Sequence, residues 1–96
     1  MSLTPKQRRH LRSLAHHLKP VVIIGDAGLT SSVINEIDRC LTRHELIKVK
    51  INNALKTKRK EIAEEICSQT GSAWVQDIGR ISIVYRAKKD PVIRLP

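Results

Sequence analysis

The residues of this chain best suited to chemistry are a glycine-spaced loop, Gly25-Asp26-Ala27-Gly28, and a large set of lysines and arginines, and what both offer is anion binding. The run Val21-Val22-Ile23-Ile24 precedes the loop, and Thr30, Ser31 and Ser32 follow it as candidate helix caps. The spacing predicts a strand-to-helix turn whose glycines permit a tight bend and close backbone approach, with the amides of the helix start turned toward an anion. Any strand-to-helix turn can use glycines this way. Asp26 also repels an anion there unless a cation such as Lys58 or Arg59 offsets it.

Other chemistries fit less well. Cys40 and Cys67 stand 27 positions apart without paired metal or redox spacing, and both read as small buried hydrophobes. Glu61, Glu64 and Glu65 share one exposed turn with lysines and do not form a metal-binding cluster, while His10, His16 and His17 lack a nucleophile or an orienting acid. The expectation is a protein that is not an enzyme, with no catalytic residue, no metal and no cofactor.

Charge sharpens the anion reading. Eighteen Lys and Arg against nine Asp and Glu leave +9 on 96 residues, which suits a polyanionic partner, and 41% apolar residues separate the chain from a disordered basic tail. The charge is segregated by segment: +5 over residues 1–25, −2 over 26–45, +6 over 46–60, −4 over 61–79 and +4 over 80–96. Phe is absent and Trp74 and Tyr85 stand alone, so the chain cannot build the multi-ring platform on which RRM and OB-fold modules stack bases. Nucleic acid would be held mainly through phosphates and shape. The longest apolar run, residues 21–24, is far below a membrane span, and the expected compartment is the cytoplasm.

The elements that must position these groups follow from period and caps. Thr4, Pro5 and Gln7 open a first helix with a capping box, Leu11, Leu14, Ala15 and Leu18 form its apolar stripe, and Lys19-Pro20 stops it. Lys6, Arg9, Arg12 and His16 form a basic stripe on its other side. Residues 21–24 read as a fully buried strand. In the second helix Val33, Ile34, Ile37, Cys40, Leu41 and His44 face inward. Residues 46–51 alternate, with Ile47, Val49 and Ile51 covered and Lys48 and Lys50 on an open face. Thr57 is the expected cap of a third helix ending at Gly71, and residues 74–78 and 81–85 form a hairpin about Gly79-Arg80. Residues 87–96 read as an extended basic tail on a single domain spanning 1–96. The result is an α/β (α+β) two-layer sandwich of α-β-α-β-α-β-β order with a mixed four-stranded sheet. In that topology the Gly25–Gly28 loop and residues 52–60 share one sheet edge, and a first helix folding back along the first strand would return Lys6, Arg8 and Arg9 to it.

Two stretches are familiar as a pair. Leu18-x-Pro20-Val21-Val22-x-Ile24-Gly25-x-x-Gly28-Leu29-Thr30 and His44-Glu45-Leu46-Ile47-Lys48-Val49-Lys50, with Tyr85-Arg86 further on, closely resemble the CRM domain, named for chloroplast RNA splicing and ribosome maturation, in its bacterial single-domain YhbY type. The resemblance implies an RNA-binding domain related in fold to the C-terminal domain of translation initiation factor three, with a KH-like glycine loop. It also implies association with precursors of the large ribosomal subunit. By position Gly25 and Gly28 match the loop glycines, and Asp26-Ala27 stands where KH-type loops commonly carry a basic residue. His44 falls in the second motif and reads as structural, and Thr30 reads as a cap.

The expected partner is therefore structured ribosomal RNA, bound by a monomer, with Lys6, Arg9, Arg12, Lys19, Lys48, Lys50, Lys58, Arg59 and Lys60 neutralising phosphates beside the loop. A membrane-surface or protein-docking module built on the first helix is the alternative. That helix lacks Trp and Phe anchors, and its apolar stripe is needed by the sheet.

Overall fold

Local signals decide where most elements begin and end. A computed structural model of the chain describes residues 2–96 as α1 (Pro5–Ala15), β1 (Pro20–Ile24), α2 (Ser31–His44), β2 (Leu46–Ile51), α3 (Lys56–Thr70), β3 (Ala73–Ile78) and β4 (Ile81–Tyr85). The capping box of α1 is complete: Gln7 N–H donates to Thr4 Oγ1 at 3.1 Å and Thr4 N–H donates to Gln7 Oε1 at 3.0 Å. α1 stops at Ala15, short of the expected Lys19-Pro20, because the chain must leave helical geometry before Pro20. Leu14, inside the helix, and Leu18, beyond its end, are both exposed.

The third helix departs from expectation at its start. It begins at Lys56, so Thr57 lies inside the first turn and is not the cap. The entry is held instead by Asn53, whose Oδ1 accepts from Leu55 N–H at 2.9 Å, and by Arg59, whose Nη1 donates to the carbonyls of Asn53 and Ala54. Gly71, at φ +66°, closes the helix in the left-handed conformation as its position predicted.

The sheet runs in the order β1-β2-β4-β3, with β1 parallel to β2 and the other pairs antiparallel, so the mixed four-stranded sheet and the closing hairpin are both present. Two expectations fail here. β1 is an edge strand with Val21 and Ile23 exposed, not a fully buried one, since helices cover only its Val22 and Ile24 side. The molecule also has three layers instead of two. Ile37 and Leu41 of α2 and Ala63 and Ile66 of α3 pack on Val22, Ile24, Ile47, Val49, Ile51 and Val84, while Leu11 and Ala15 of α1 pack with Leu3 on Leu46, Ala73, Val75, Ile83 and Tyr85 of the opposite face. A strand that alternates Lys with apolar residues does not reveal that its lysine side is half-covered.

Residues 87–96 carry no helix or strand, yet Ile93 and Leu95 pack against the α1 core. They are held by Glu45, a buried carboxylate at the α2–β2 junction with φ +65°. Its Oε1 accepts from the amides of Val92 at 2.8 Å and Ile93 at 3.0 Å, its Oε2 accepts from Lys88 N–H at 3.2 Å, and its carbonyl accepts from Arg86 N–H at 2.8 Å. Burial alone would raise this carboxyl's pKa. The amides of Ile93, Val92 and Lys88, with the Lys88 charge, outweigh burial and hold it below its ordinary value. Burial and the nearby Glu45 charge push the Tyr85 hydroxyl up, keeping it neutral.

Because the folded pKa of Glu45 is depressed, its contribution is present above the unfolded value of about 4.3 and is lost as pH falls through the folded one. Urea unfolding should show Glu45→Gln less stable than the parent by about 1–3 kcal/mol at pH 7, since an amide replaces a charged acceptor. The gap should narrow in acid; an equal gap at pH 7 and pH 3 would contradict the assignment.

Candidate nucleic-acid interface

At the C-terminal end of β1 the chain turns through Gly25–Gly28, with Gly28 N–H donating to Gly25 O at 3.0 Å and Thr30 N–H to Gly28 O at 3.2 Å. Gly28 has φ +72°, which L side chains adopt at a cost, and a Cβ placed on either glycine would meet nothing within 4 Å. The outer side of the loop is thus open to an approaching backbone or phosphate. Thr30 caps α2 by accepting from Val33 N–H at 3.2 Å, leaving the amides of Ser31 and Ser32, beyond reach of any helical carbonyl, for solvent or an anion.

Three connections meet at this end of the sheet. Asn52 N–H donates to Ile24 O at 2.9 Å and Ile51 N–H to Arg80 O at 2.7 Å, while Arg80 Nη1 donates to Asn52 Oδ1 at 2.8 Å. The glycine loop, the entry to α3 and the Gly79-Arg80 turn therefore form one edge. Exposed Lys50, Lys58 and Lys60 stand on or beside it, with Lys56 and Arg80, which the sequence reading did not single out. The hairpin at Gly79-Arg80 was the available signal for Arg80: antiparallel β4 must start where parallel β2 ends.

The other expected site residues are distributed differently. Arg59 is half-buried and its Nη1 is committed to loop carbonyls, so it shapes the edge; Lys58 lies 3.6 Å from Glu61 in an exposed pair. Lys48 is partly covered and its Nζ donates to Leu18 O at 3.0 Å, tying β2 to the α1–β1 link. Lys19 sits at the opposite end of β1, beside a groove lined by Leu14, Leu18, Val21 and His44. His44 is exposed there and does not face inward as expected, because Glu45 ends the helix and swings the chain away after it.

Lys6, Arg9 and Arg12 are exposed on the outer side of α1, but this helix does not return along β1 to the glycine loop. It crosses the sheet, and the Arg8 guanidinium lies 5.4 Å from the Trp74 ring centroid at the start of β3, the far edge strand. The short link constrains only where α1 ends; burying Leu11 and Ala15 over β2, β4 and β3 sets its direction. The basic groups accordingly form two surfaces, one at the loop edge and one along α1. No strand side chain on the α1 side of the sheet is acidic, and Asp77 lies on the α3 side.

Among the described residues no group of three or more His, Cys, Asp or Glu side chains could hold a metal ion. Both cysteines are free, and burial pushes the Cys67 thiol up, away from the reactive thiolate. No helix of the described residues is long and apolar enough to cross a membrane.

Comparison with known proteins agrees with this architecture. A Pseudomonas aeruginosa protein, "Probable RNA-binding protein PA4753", is 44% identical over 91 residues, spanning 95% of this chain and 88% of that protein. An "RNA-binding protein" of Haemophilus influenzae is 44% identical over 95 residues, covering 99% of this chain and 96% of its own length. The solution structure of SAV1595 from Staphylococcus aureus superposes with a TM-score of 0.87 at 42% identity, covering 99% of this chain and all of that one. The sequence model of the CRS1 / YhbY (CRM) domain matches residues 3–86, from the buried Leu3 to the Arg86 that follows the last strand, and the chain belongs to that family.

Proposed function

We propose that this chain is a non-enzymatic RNA-binding domain that grips the phosphates of structured ribosomal RNA in precursors of the large subunit. The observation that carries the reading is the loop edge, where an open glycine turn and the start of α2 share one end of the sheet with exposed Lys50, Lys56, Lys60 and Arg80. Point cations and backbone amides there suit phosphates, which fix register without reading sequence. The names of the Pseudomonas and Haemophilus relatives favour RNA over other polyanions. The ribosomal assignment rests on the family resemblance. A membrane-surface role is disfavoured because Leu11 and Ala15 of α1 are already buried against the sheet and the helix carries no Trp or Phe anchor.

Asp26 offers the sharpest test of the loop. Asp26→Lys changes local charge by two units, and at about 6 Å in a water-like dielectric each unit is worth roughly 0.7 kcal/mol. Titration of a ribosomal RNA fragment at low salt should show up to about tenfold tighter binding, with the gain shrinking as salt screens it. Unchanged affinity would reduce the loop to a structural turn.

Shape and the second surface are tested separately. Gly28→Val should weaken binding and cost roughly 1–2 kcal/mol of stability through its left-handed backbone, whereas Gly25→Ala should leave stability nearly unchanged. Changing Lys6, Arg9 and Arg12 together to Glu should preserve the circular-dichroism spectrum and lower affinity; unaltered affinity would confine the site to the loop edge. In gradient sedimentation the parent should follow immature large subunits more than mature ribosomes, and equal association with both would contradict the assembly role.

A further inference from the structure

Trp74 is the one large aromatic side chain left substantially exposed, at 43%, and it is held in place. A register shift between Trp74 and Gln76 marks a bulge in β3, a feature that re-aims side chains. The indole Nε1 donates to Asp77 Oδ1 at 3.0 Å, the Ser82 hydroxyl donates to the same oxygen at 2.7 Å, and the Arg8 guanidinium lies over the ring. An exposed indole fixed by Asp77 and Arg8, with Asp77 itself held by Ser82, presents a ready stacking surface with little ordering cost.

The ring also lines a cavity of about 530 Å³ between α3 and β3, within the range of small-ligand pockets. Ala63 and Cys67 make its apolar wall, and Lys56 and Lys60 stand at its mouth. A smaller concavity shares Lys56, Lys60 and Asp77 and continues to Arg59 and Gly79, joining the cavity to the loop edge. We propose that this cavity takes one unstacked base of the bound RNA, stacked on Trp74, with its phosphates on Lys56 and Lys60. The proposal rests on the RNA-binding reading and adds a single-stranded element to it. Scarcity of aromatic residues excludes a multi-ring platform but leaves room for a single ring.

The chemistry of the walls selects among bases. Both hydrogen bonds received by the Asp77 carboxylate land on Oδ1, so Oδ2 is free to accept from an exocyclic amino group. Cytosine carries such an amino group where uracil carries a carbonyl, which the carboxylate would repel. Glu64 also lines the cavity, whereas the concavity that continues to the loop edge carries Lys56, Arg59 and Lys60 against Asp77 alone, which suits a phosphate chain entering from that side.

Because Trp74 is the only tryptophan, its emission reports occupancy directly. The purified chain would be titrated with end-labelled single-stranded octamers of C and of U and with an RNA duplex, following label anisotropy and tryptophan emission together. Expected are quenching by the C octamer, several-fold weaker binding of the U octamer, and binding of the duplex without quenching. Trp74→Ala should weaken the C octamer about tenfold while sparing the duplex, and Trp74→Phe should restore most of the loss. Lys60→Glu, at an exposed position, should weaken the octamer with the indole intact. Octamer binding by anisotropy with unchanged emission, and equal affinity for parent and Trp74→Ala, would overturn the base site while leaving RNA binding standing. Absence of any anisotropy change would overturn both readings.

Discussion

The carboxylate of Glu45 is the interaction on which the rest of the structure depends. The residue ends α2 and starts β2 in a single step at φ +65° and ψ −48°, a sparsely populated backbone region that costs a non-glycine residue on the order of 1–3 kcal/mol. Accepting three amides of the C-terminal segment offsets that cost, since hydrogen bonds to a charged group contribute about 1.5–3 kcal/mol each. The same contacts set Ile93 and Leu95 against the α1 core. Next to it the Arg86 guanidinium donates to Asp38, Thr42 and Thr70, joining α2, α3 and β4. This end of the sheet is locked by charge-assisted bonds whose partners are all internal.

The opposite end is built the other way. Backbone and amide contacts through Ile24, Asn52 and Arg80 fix its shape, and among the described residues only Lys58 and Arg86 pair with a carboxylate. Lys50, Lys56 and Lys60 are left solvated, where a second charged molecule can use them. A rigid end held by the Glu45 and Arg86 networks and a shaped end whose lysines stay solvated is the arrangement expected of a module whose affinity comes from an external polyanion.

Much of this was legible in the chain itself, for identifiable reasons. Thr4-x-x-Gln7, Gly71 and the Gly79-Arg80 turn are local signals whose partners lie within a few residues, so they read correctly. The order of elements followed from period, and the parallel pair from the helix between β1 and β2. What failed depended on partners far along the chain. β1 reads as a buried strand because Val21 to Ile24 are all apolar, and only the sheet order shows that it is an edge. Thr57 looks like a cap until Asn53 and Arg59 are seen to hold the turn. Glu45 lay in plain view inside a motif, but its partners are 43 to 48 positions away. The path of α1 across the sheet, which separates Arg8 from the glycine loop, follows from core packing that no charge pattern encodes.

The central claim is that the loop edge binds RNA through phosphates, and salt dependence tests it most directly. Affinity for a ribosomal RNA fragment should be measured from roughly 50 to 200 mM salt for the parent and for the Lys50→Ala, Lys60→Ala double variant. With about four phosphates neutralised the parent should weaken on the order of fifty-fold across that range, and removing two contacts should flatten the logarithmic slope by about 1.4. A parent affinity insensitive to salt, or a double variant with the parent's slope, would contradict the account.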